Sequence, residues 1–280
     1  MKTNKIAVVT GVTDGIGKRV ALGLITQGYR LLVIARNENK FRTLHKEALS
    51  IDEGASLTFY QADLCLVSST RHALAKISAD VSAVDVLYQS AGLIPGKIEL
   101  TEEGIEKTFA VSYLTRYLIS KELMPLILQS EQKLFVNMAG AGQKGTIHFD
   151  DINFSTKKFR PMNVVKQFQQ ANDVLSTYLM QKYHSEGLRV YCLMPGLVDT
   201  GIHDGWPPVF RFLIKKILGS IAMVSAEKAS EIPRQIILGS IHPDGVLVDN
   251  RGKAIQPSAT VLSSAYQQRL IALSEKMIDV

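Results

Sequence analysis

Short runs rich in valine, isoleucine, leucine and tyrosine recur along the chain, and each run ends in small or turn-forming residues. The runs are continuously apolar rather than alternating, which is typical of strands covered on both faces of a sheet. We therefore predict strands at residues 6–10, 30–35, 56–62, 84–90, 133–138, 188–194 and 246–248.

Stretches with the apolar period of a helix lie between these runs. One follows Gly17 and places Val20, Leu24 and Ile25 on one face, and two longer ones cover residues 109–126 and 163–184. Strands that alternate with helices form βαβ units and a parallel sheet. No repeat, linker or low-complexity segment interrupts the pattern. We expect an α/β fold with a single doubly wound parallel sheet of about seven strands, helices on both faces, and one domain over residues 1–280.

The composition excludes a disordered chain, because 46% of the 280 residues are hydrophobic and only 21% are charged. There is no run of about 18 consecutive apolar residues, so the sequence predicts no membrane-spanning helix. The first residues turn polar after one short apolar run, unlike a signal peptide, and we expect a cytoplasmic location. The cysteines, Cys65 and Cys192, stand far apart without companions, so we predict no zinc cluster, no other metal site and no disulfide scaffold.

The net charge of +6 comes from 32 basic and 26 acidic residues, and the basic residues are scattered. A protein that binds nucleic acid would concentrate them on one face with elements that read the bases. Solvated surface charge is the favoured interpretation, and we expect no nucleic-acid partner.

The first predicted strand ends in a glycine-rich turn, Thr-Gly-Val-Thr-Asp-Gly-Ile-Gly-Lys at residues 10–18, which leads into a helix. Glycines at such a turn let the backbone approach a pyrophosphate, whose charge then lies at the helix N-terminus. An ordinary tight loop is the alternative. The strand before and the helix after favour a dinucleotide site in a Rossmann fold. The residues expected to form it are Gly11, Thr13, Asp14, Gly15, Ile16 and Gly17.

Arg36 closes the second predicted strand, 25 residues after Gly11. An acidic residue there would bind the ribose 2′-hydroxyl of NAD, whereas an arginine suits a 2′-phosphate. We therefore predict NADP(H) as the preferred cofactor over NAD(H); a solvated arginine at a strand end is the alternative.

These motifs resemble the short-chain dehydrogenase/reductase family, whose cofactor signature is similar to the turn at residues 10–17. The sequence Phe-Asp-Asp-Ile-Asn-Phe at 149–154 and the tail from Arg251 resemble its retinol-dehydrogenase-like branch. The resemblance covers nearly the whole chain. It implies further cofactor contacts from Asp63, Leu64, Ser90, Ala91, Gly92, Pro195, Gly196, Val198 and Thr200.

The resemblance also implies a catalytic set of Tyr and Lys four residues apart on a helix, a Ser after the fifth strand and an Asn on the preceding helix. In this chain Val165 stands at the Tyr position, Gln169 at the Lys position, Gly140 at the Ser position and Ser112 at the Asn position. All four catalytic positions are altered. No Tyr followed by Lys at the fourth position occurs between residues 140 and 185, so a shifted alignment does not restore the set.

These replacements remove the usual proton route, because Val165 has no proton to donate and Gln169 carries no titrating charge. Gln169 still offers hydrogen bonds to ribose hydroxyls, and we count it among the cofactor-binding residues. A positioned general acid contributes about 3–5 kcal/mol of barrier lowering. His148 and Asp150 are weak surrogate candidates, with exposed loop residues as the alternative. Cys192, within a predicted strand, is interpreted as a buried small apolar residue.

A lid-like helical segment is predicted at about residues 201–224, because apolar residues between 206 and 218 share one helix face. Three interpretations are open for this segment: a lid over an apolar substrate, a lid that also rests on a membrane surface, or a helix of the core. The sequence supports at most peripheral membrane contact. The expected partner is an apolar or polycyclic small molecule. A homodimer is left open.

Three functions follow from an intact dinucleotide turn beside altered catalytic positions. The first is an NADP(H)-dependent oxidoreductase, a reductase of an apolar small molecule by hydride transfer that lacks the usual acid/base set. The second is a non-catalytic cofactor-binding protein, a sensor or partner subunit. The third is a cyclase, isomerase or lyase that reuses the pocket.

Overall fold

The computed structural model describes residues 4–156, 159–196, 198 and 224–279. In this part of the chain one sheet of eight strands has the order β3-β2-β1-β4-β5-β6-β7-β8. The strands are β1 (Ile6–Thr10), β2 (Arg30–Ala35), β3 (Leu57–Gln61), β4 (Val86–Gln89), β5 (Leu134–Met138), β6 (Arg189–Leu193), β7 (Leu247–Val248) and β8 (Ala254–Ile255).

The helices lie between and after the strands, as the apolar periods predict. They are α1 (Gly15–Ile25), α2 (Glu38–Ile51), α3 (Val67–Asp80), α4 (Lys107–Phe109), α5 (Thr115–Gln129), α6 (Pro161–Tyr183), α7 (Ala226–Ala229), α8 (Glu231–Ile237), α9 (Ala259–Leu262) and α10 (Ser264–Ile278). A 3₁₀ turn at His184–Glu186 follows α6.

Strands β1 to β7 pair in parallel, which confirms the predicted doubly wound sheet. The sequence pattern misses β8, which pairs antiparallel with β7. Only two residues long, it has no apolar run, and the turn that precedes it contains Gly252 at a φ of +79°.

Apolar residues fill both sides of the sheet. Val8, Leu32 and Phe135 belong to a cluster with residues of α3, α5 and α6, while Val9 and Val33 belong to a second cluster with residues of α1, α2 and α8. Successive strand residues point to opposite faces, so a continuously apolar strand feeds both clusters.

The helix predicted at 109–126 is interrupted. Between α4 and α5 lies a π-helical turn, Ala110–Leu114, within which the Thr115 hydroxyl donates to the carbonyl of Ala110 over 3.1 Å. Such turns are frequent at functional sites, and this one contains Ser112.

The predicted lid falls almost wholly outside the described residues, of which only Val224 belongs to it; Val224 forms a parallel bridge with Val198. No helix in the described residues is long and apolar enough to cross a membrane.

Candidate functional site

The glycine-rich turn lies against the chain that leaves β4. Gly11 has a φ of +68°, and a Cβ on it would come within 3.0 Å of the backbone of Ser90 and Ala91. A Cβ on Gly17 would likewise come within 3.0 Å of the Gly11 carbonyl oxygen. The Thr10 hydroxyl accepts the N–H groups of Ser90 and Ala91 at 3.3 and 3.4 Å. Two of the predicted cofactor segments are therefore adjacent, and their backbones approach more closely than a Cβ on Gly11 would allow.

This turn has the features that a pyrophosphate needs. Asp14 caps α1 by accepting the Gly15 N–H at 2.8 Å, and the Lys40 ammonium lies 3.5 Å from its other oxygen. The first N–H groups of a helix carry partial positive charge. Glycine backbone at the turn and the helix N-terminus beyond it therefore fit a dinucleotide phosphate.

The predicted adenosine end brings Arg36 and Asp63 together, with Nη1 3.4 Å from Oδ2. Burial acts to raise the pKa of the Asp63 carboxyl, but hydrogen bonds from Cys65 and the charge of Arg36 outweigh it and lower that pKa. The Arg36 side chain is 69% exposed, so most of its donors face solvent. Such a guanidinium can turn to a phosphate at little cost. Leu64, beside Asp63, is buried.

A row of polar residues crosses the sheet near the carboxyl ends of β4, β5 and β6. Gln89, Asn137 and Cys192 are register partners in that order. The Asn137 amide donates to Asn172 Oδ1 at 2.9 Å, and Asn172 donates to the Ser112 carbonyl at 2.8 Å. This buried network ties β5 to α6 and to the π-helical turn.

Cys192 corrects one expectation. It is fully buried, as predicted, but it is more than an apolar filler, because its thiol donates to Asp173 Oδ1 over 3.5 Å. The other Asp173 oxygen accepts the Gly142 N–H at 2.9 Å. Burial raises the pKa of the Asp173 carboxyl to about 7, against those two hydrogen bonds.

Arg116, on α5, is the charged residue that the sequence reasoning missed. Its guanidinium donates to Asn137 Oδ1 at 2.6 Å, to the Met138 carbonyl at 2.9 Å and to the Ala91 carbonyl. The residue is only 4% exposed, and its Nε has no acceptor. Arg116 thus joins the chain leaving β4 to the end of β5. The only signal in the sequence is an arginine inside an apolar helical stretch.

Two of the positions that the family resemblance assigns to the catalytic set, residues 140 and 169, lie against each other. Gly140 has a φ of +75°, and a Cβ built on it would overlap the Gln169 side-chain amide. Val165, one turn before Gln169 on α6, is 6% exposed. Ser112 is fully buried, and its hydroxyl accepts the Leu93 N–H at 3.1 Å. A carboxamide therefore fills the volume where a serine side chain would lie, and none of these four residues presents an acid.

The two surrogate candidates lie together in the loop before α6. His148 and Asp150 line a shallow depression with Ile147, Phe149, Asp151 and Arg269, and the catalytic positions do not border it. The Asp150 side chain is 95% exposed and pairs with Arg269 at 3.2 Å. The His148 ring stands edge-on to Phe154. The His148 N–H donates to the Gln167 side chain of α6 at 2.9 Å, so this loop packs on the helix that carries residues 165 and 169, and the surrogate role stays a prediction.

The segment after β6 turns at Gly196, which has a φ of +78°. A Cβ on it would touch the Asn250 side chain, so the turn lies against the chain after β7. A cavity of about 190 Å³ opens beside it, with Met138 and Pro195 in its wall. Thr200 lies outside the described residues.

Three comparisons bear on this arrangement. The family model described as short chain dehydrogenase matches residues 5–208. Human retinol dehydrogenase 13 is 28% identical over 224 residues, which are 75% of this chain and 68% of that protein. An uncharacterised protein of Mycobacterium paratuberculosis has a similar fold, with a TM-score of 0.71 at 19% identity over 99% of this chain and 94% of its own.

A second solved structure shares the fold: an alcohol dehydrogenase of the archaeon Thermococcus sibiricus, complexed with 5-hydroxy-NADP. Its TM-score is 0.65 at 21% identity, over 91% of this chain and 100% of its own. The match of the family model over most of the chain agrees with the sheet order and with the glycine turn. The chain therefore belongs to the short-chain dehydrogenase/reductase family of oxidoreductases, on its retinol-dehydrogenase-like branch.

Proposed function

We propose that this protein is an NADP(H)-dependent reductase of an apolar small molecule that transfers hydride without the usual Ser-Tyr-Lys set. The observation that carries the proposal is the glycine turn, where Gly11 and Gly17 allow a close backbone approach between β1, the start of α1 and the chain leaving β4 that a Cβ at either position would prevent. The alcohol dehydrogenase that shares the fold is described with an NADP derivative, and the human relative is named for retinol.

The residues of the turn would hold the pyrophosphate, and Arg36 would hold the 2′-phosphate. When bound, the dinucleotide supplies or accepts the hydride. The chain's own part is to bind, orient and exclude water. Gln169, whose amide lies against Gly140, would offer that amide to ribose hydroxyls.

The substrate follows from what the site lacks. Without a side-chain acid at residues 112, 140, 165 and 169, reduction of an ordinary ketone loses about 10²–10⁴ in rate. An activated alkene, an iminium ion or a quinone-like system needs less acid, because its reduced form carries a stabilised negative charge or none. We therefore assign the substrate to these classes rather than to simple carbonyl compounds.

A second candidate is cofactor binding without turnover, which the four altered positions favour. Titration calorimetry with NADPH and NADH followed by stopped-flow absorbance at the nicotinamide band separates the two. Oxidation of bound NADPH by an alkene, imine or quinone supports the reductase. Tight NADPH binding with no oxidation by any of them supports the non-catalytic protein, and product formed without dinucleotide would indicate a cyclase, isomerase or lyase.

Arg36→Ala tests the cofactor choice within the same experiment, and Arg42→Ala is the matched control. Arg42 is similarly exposed but is paired with Glu38 at 2.8 Å on the outer face of α2. Equal affinities of the parent protein for NADPH and NADH would refute the preference.

A further inference from the structure

Arg116 is a buried cation that no described carboxylate neutralises. Its three acceptors are an amide oxygen and two backbone carbonyls. No ion pair of the described residues includes it, and the ionisable side chains that act on its pKa are the Cys192 thiol and the Tyr88 phenol, whose own pKa values burial raises. Burial lowers the pKa of the Arg116 guanidinium to about 10, so the group remains charged at neutral pH. Asp173 reaches Cys192 but does not contact Arg116.

The position of this charge relative to the sheet is the second observation. Arg116 bonds the carbonyls of Ala91, just after β4, and Met138, the last residue of β5. A Cβ built on Gly92 would lie 3.4 Å from its Nη2 and 3.5 Å from the Ser112 hydroxyl. The guanidinium thus lies directly beneath the chain that runs between the glycine turn and the altered catalytic positions.

The sheet topology indicates which half of a bound dinucleotide would lie next to the Arg116 guanidinium. In a doubly wound sheet the ligand lies across the carboxyl ends at the point where the strand order reverses, here between β1 and β4. Arg36 and Asp63, after β2 and β3, mark the adenosine side. The nicotinamide half then belongs over β4 and β5, on the side of Arg116.

The two redox states of that half differ in charge. An oxidised nicotinamide ring is a cation and a reduced one is neutral. A fixed cation nearby, in a partly desolvated site, repels the first and leaves the second unaffected. Gln169 adds no charge of its own at the position where a lysine is otherwise expected.

We propose that Arg116 makes the site select the reduced dinucleotide over the oxidised one. This inference rests on the proposed function, because it requires that the dinucleotide binds. The same charge stabilises an anion formed on a substrate beside it, which agrees with substrates that leave a negative charge on reduction. Arg116 is a specificity-determining residue in this proposal rather than a catalytic one.

The test measures dissociation constants of NADPH and NADP⁺ by titration calorimetry for the parent, Arg116→Lys and Arg116→Gln. The parent is expected to bind NADPH at least about tenfold more tightly than NADP⁺. Arg116→Lys keeps the charge and should keep that ratio, whereas Arg116→Gln keeps donors without charge and should bring the ratio close to one. Circular dichroism and a melting curve establish that each variant is folded.

Several outcomes overturn the proposal. A parent that binds both redox states equally refutes it, and this measurement needs no variant. If Arg116→Gln keeps the parent's ratio, or if the lysine and glutamine variants lose affinity for both states alike, Arg116 acts only as a structural cross-link. A parent that binds neither dinucleotide refutes the proposed function itself, and this inference with it.

Discussion

Gly17→Ala is the smallest change that tests the glycine turn. The added methyl carbon would lie 2.1 Å from the Gly11 carbonyl oxygen, whereas ordinary contacts begin at 3.4 Å, an overlap of 1.3 Å. The atoms that the methyl group would overlap are the carbonyl oxygen and carbon of Gly11. Both belong to the backbone, so no side-chain rotation relieves the overlap. Gly11 is itself held against Ser90 and Ala91. The turn must therefore shift as a unit, away from the start of α1.

The expected cost follows from this geometry. Overpacking of a tight contact costs about 1–3 kcal/mol. A loss of about 2 kcal/mol lowers the Tm of a chain of this size by about 4–8 °C. A backbone N–H that moves away from a charged phosphate loses a hydrogen bond worth about 1.5–3 kcal/mol, which is about tenfold or more in affinity. We expect at least a tenfold loss of NADPH affinity.

Gly23→Ala is the matched control on the same helix. Its methyl group would meet the Arg234 side chain, which is flexible and can move, and it lies far from the turn. Both substitutions gain the helix propensity of alanine, worth about 0.5–1 kcal/mol in a helix interior. The displacement of Arg234 offsets that gain at Gly23, so Gly23→Ala should change Tm by only a few degrees and leave NADPH affinity unchanged.

Differential scanning fluorimetry measures the Tm of the two variants, and titration calorimetry measures their NADPH affinity. The reasoning fails if folded Gly17→Ala binds NADPH as the parent does, since the turn would then not be the binding element. It fails equally if Gly23→Ala loses as much affinity, because a contact at the turn would not explain the effect.

Three further outcomes are expected. Arg36→Ala should weaken NADPH binding about 10–100-fold and NADH binding little, as calorimetry can measure, because a charge-assisted contact is worth about 1.5–3 kcal/mol. The pKa of Asp173 is about 7 in the folded protein and about 4 in the unfolded chain, so the free energy of unfolding should fall as the pH rises between these values. Melting curves of Asp173→Asn should therefore show a higher Tm than the parent at pH 8 and a similar Tm at pH 4. The parent should turn over simple secondary alcohols and ketones poorly in a spectrophotometric panel, and rapid ketone turnover would contradict the absence of a side-chain acid. The triple change Val165→Tyr, Gln169→Lys and Gly140→Ser should raise the rate of ketone reduction by about 10²-fold or more.

The sheet could be predicted because its strands are buried on both faces. Continuous apolar runs locate β1 to β7 to within two residues at each end, and the helical periods between them fix the parallel order. β8 had no such signal, because a two-residue edge strand is defined by its pairing with β7 and not by its composition.

The buried charged residues of the site could not be predicted from the pattern of apolar runs. Arg116 and Asp173 are charged residues within helical stretches, and a periodicity argument places such residues toward solvent. Both are buried because α5 and α6 pack against strand ends whose carbonyls, amides and thiol supply partners. These partner groups come from different strands, and they lie close together only once the sheet has formed.

Gly140 and Gln169, which the resemblance assigns to the Ser and Lys positions, pack against each other, and this bears on whether the usual chemistry was merely lost. Gly140 holds a left-handed backbone conformation that a serine adopts only with strain, and the Gln169 amide occupies the space that a side chain at 140 would need. Gly140→Ser alone must displace that amide, so it should disturb the site without adding a useful hydroxyl. Replacing Gln169 by lysine as well removes the amide nitrogen that makes the closest overlap, 2.3 Å from a Cβ at residue 140. The glycine and the glutamine therefore form one packed arrangement, and a test that restores either residue singly examines a conflict rather than a reductase.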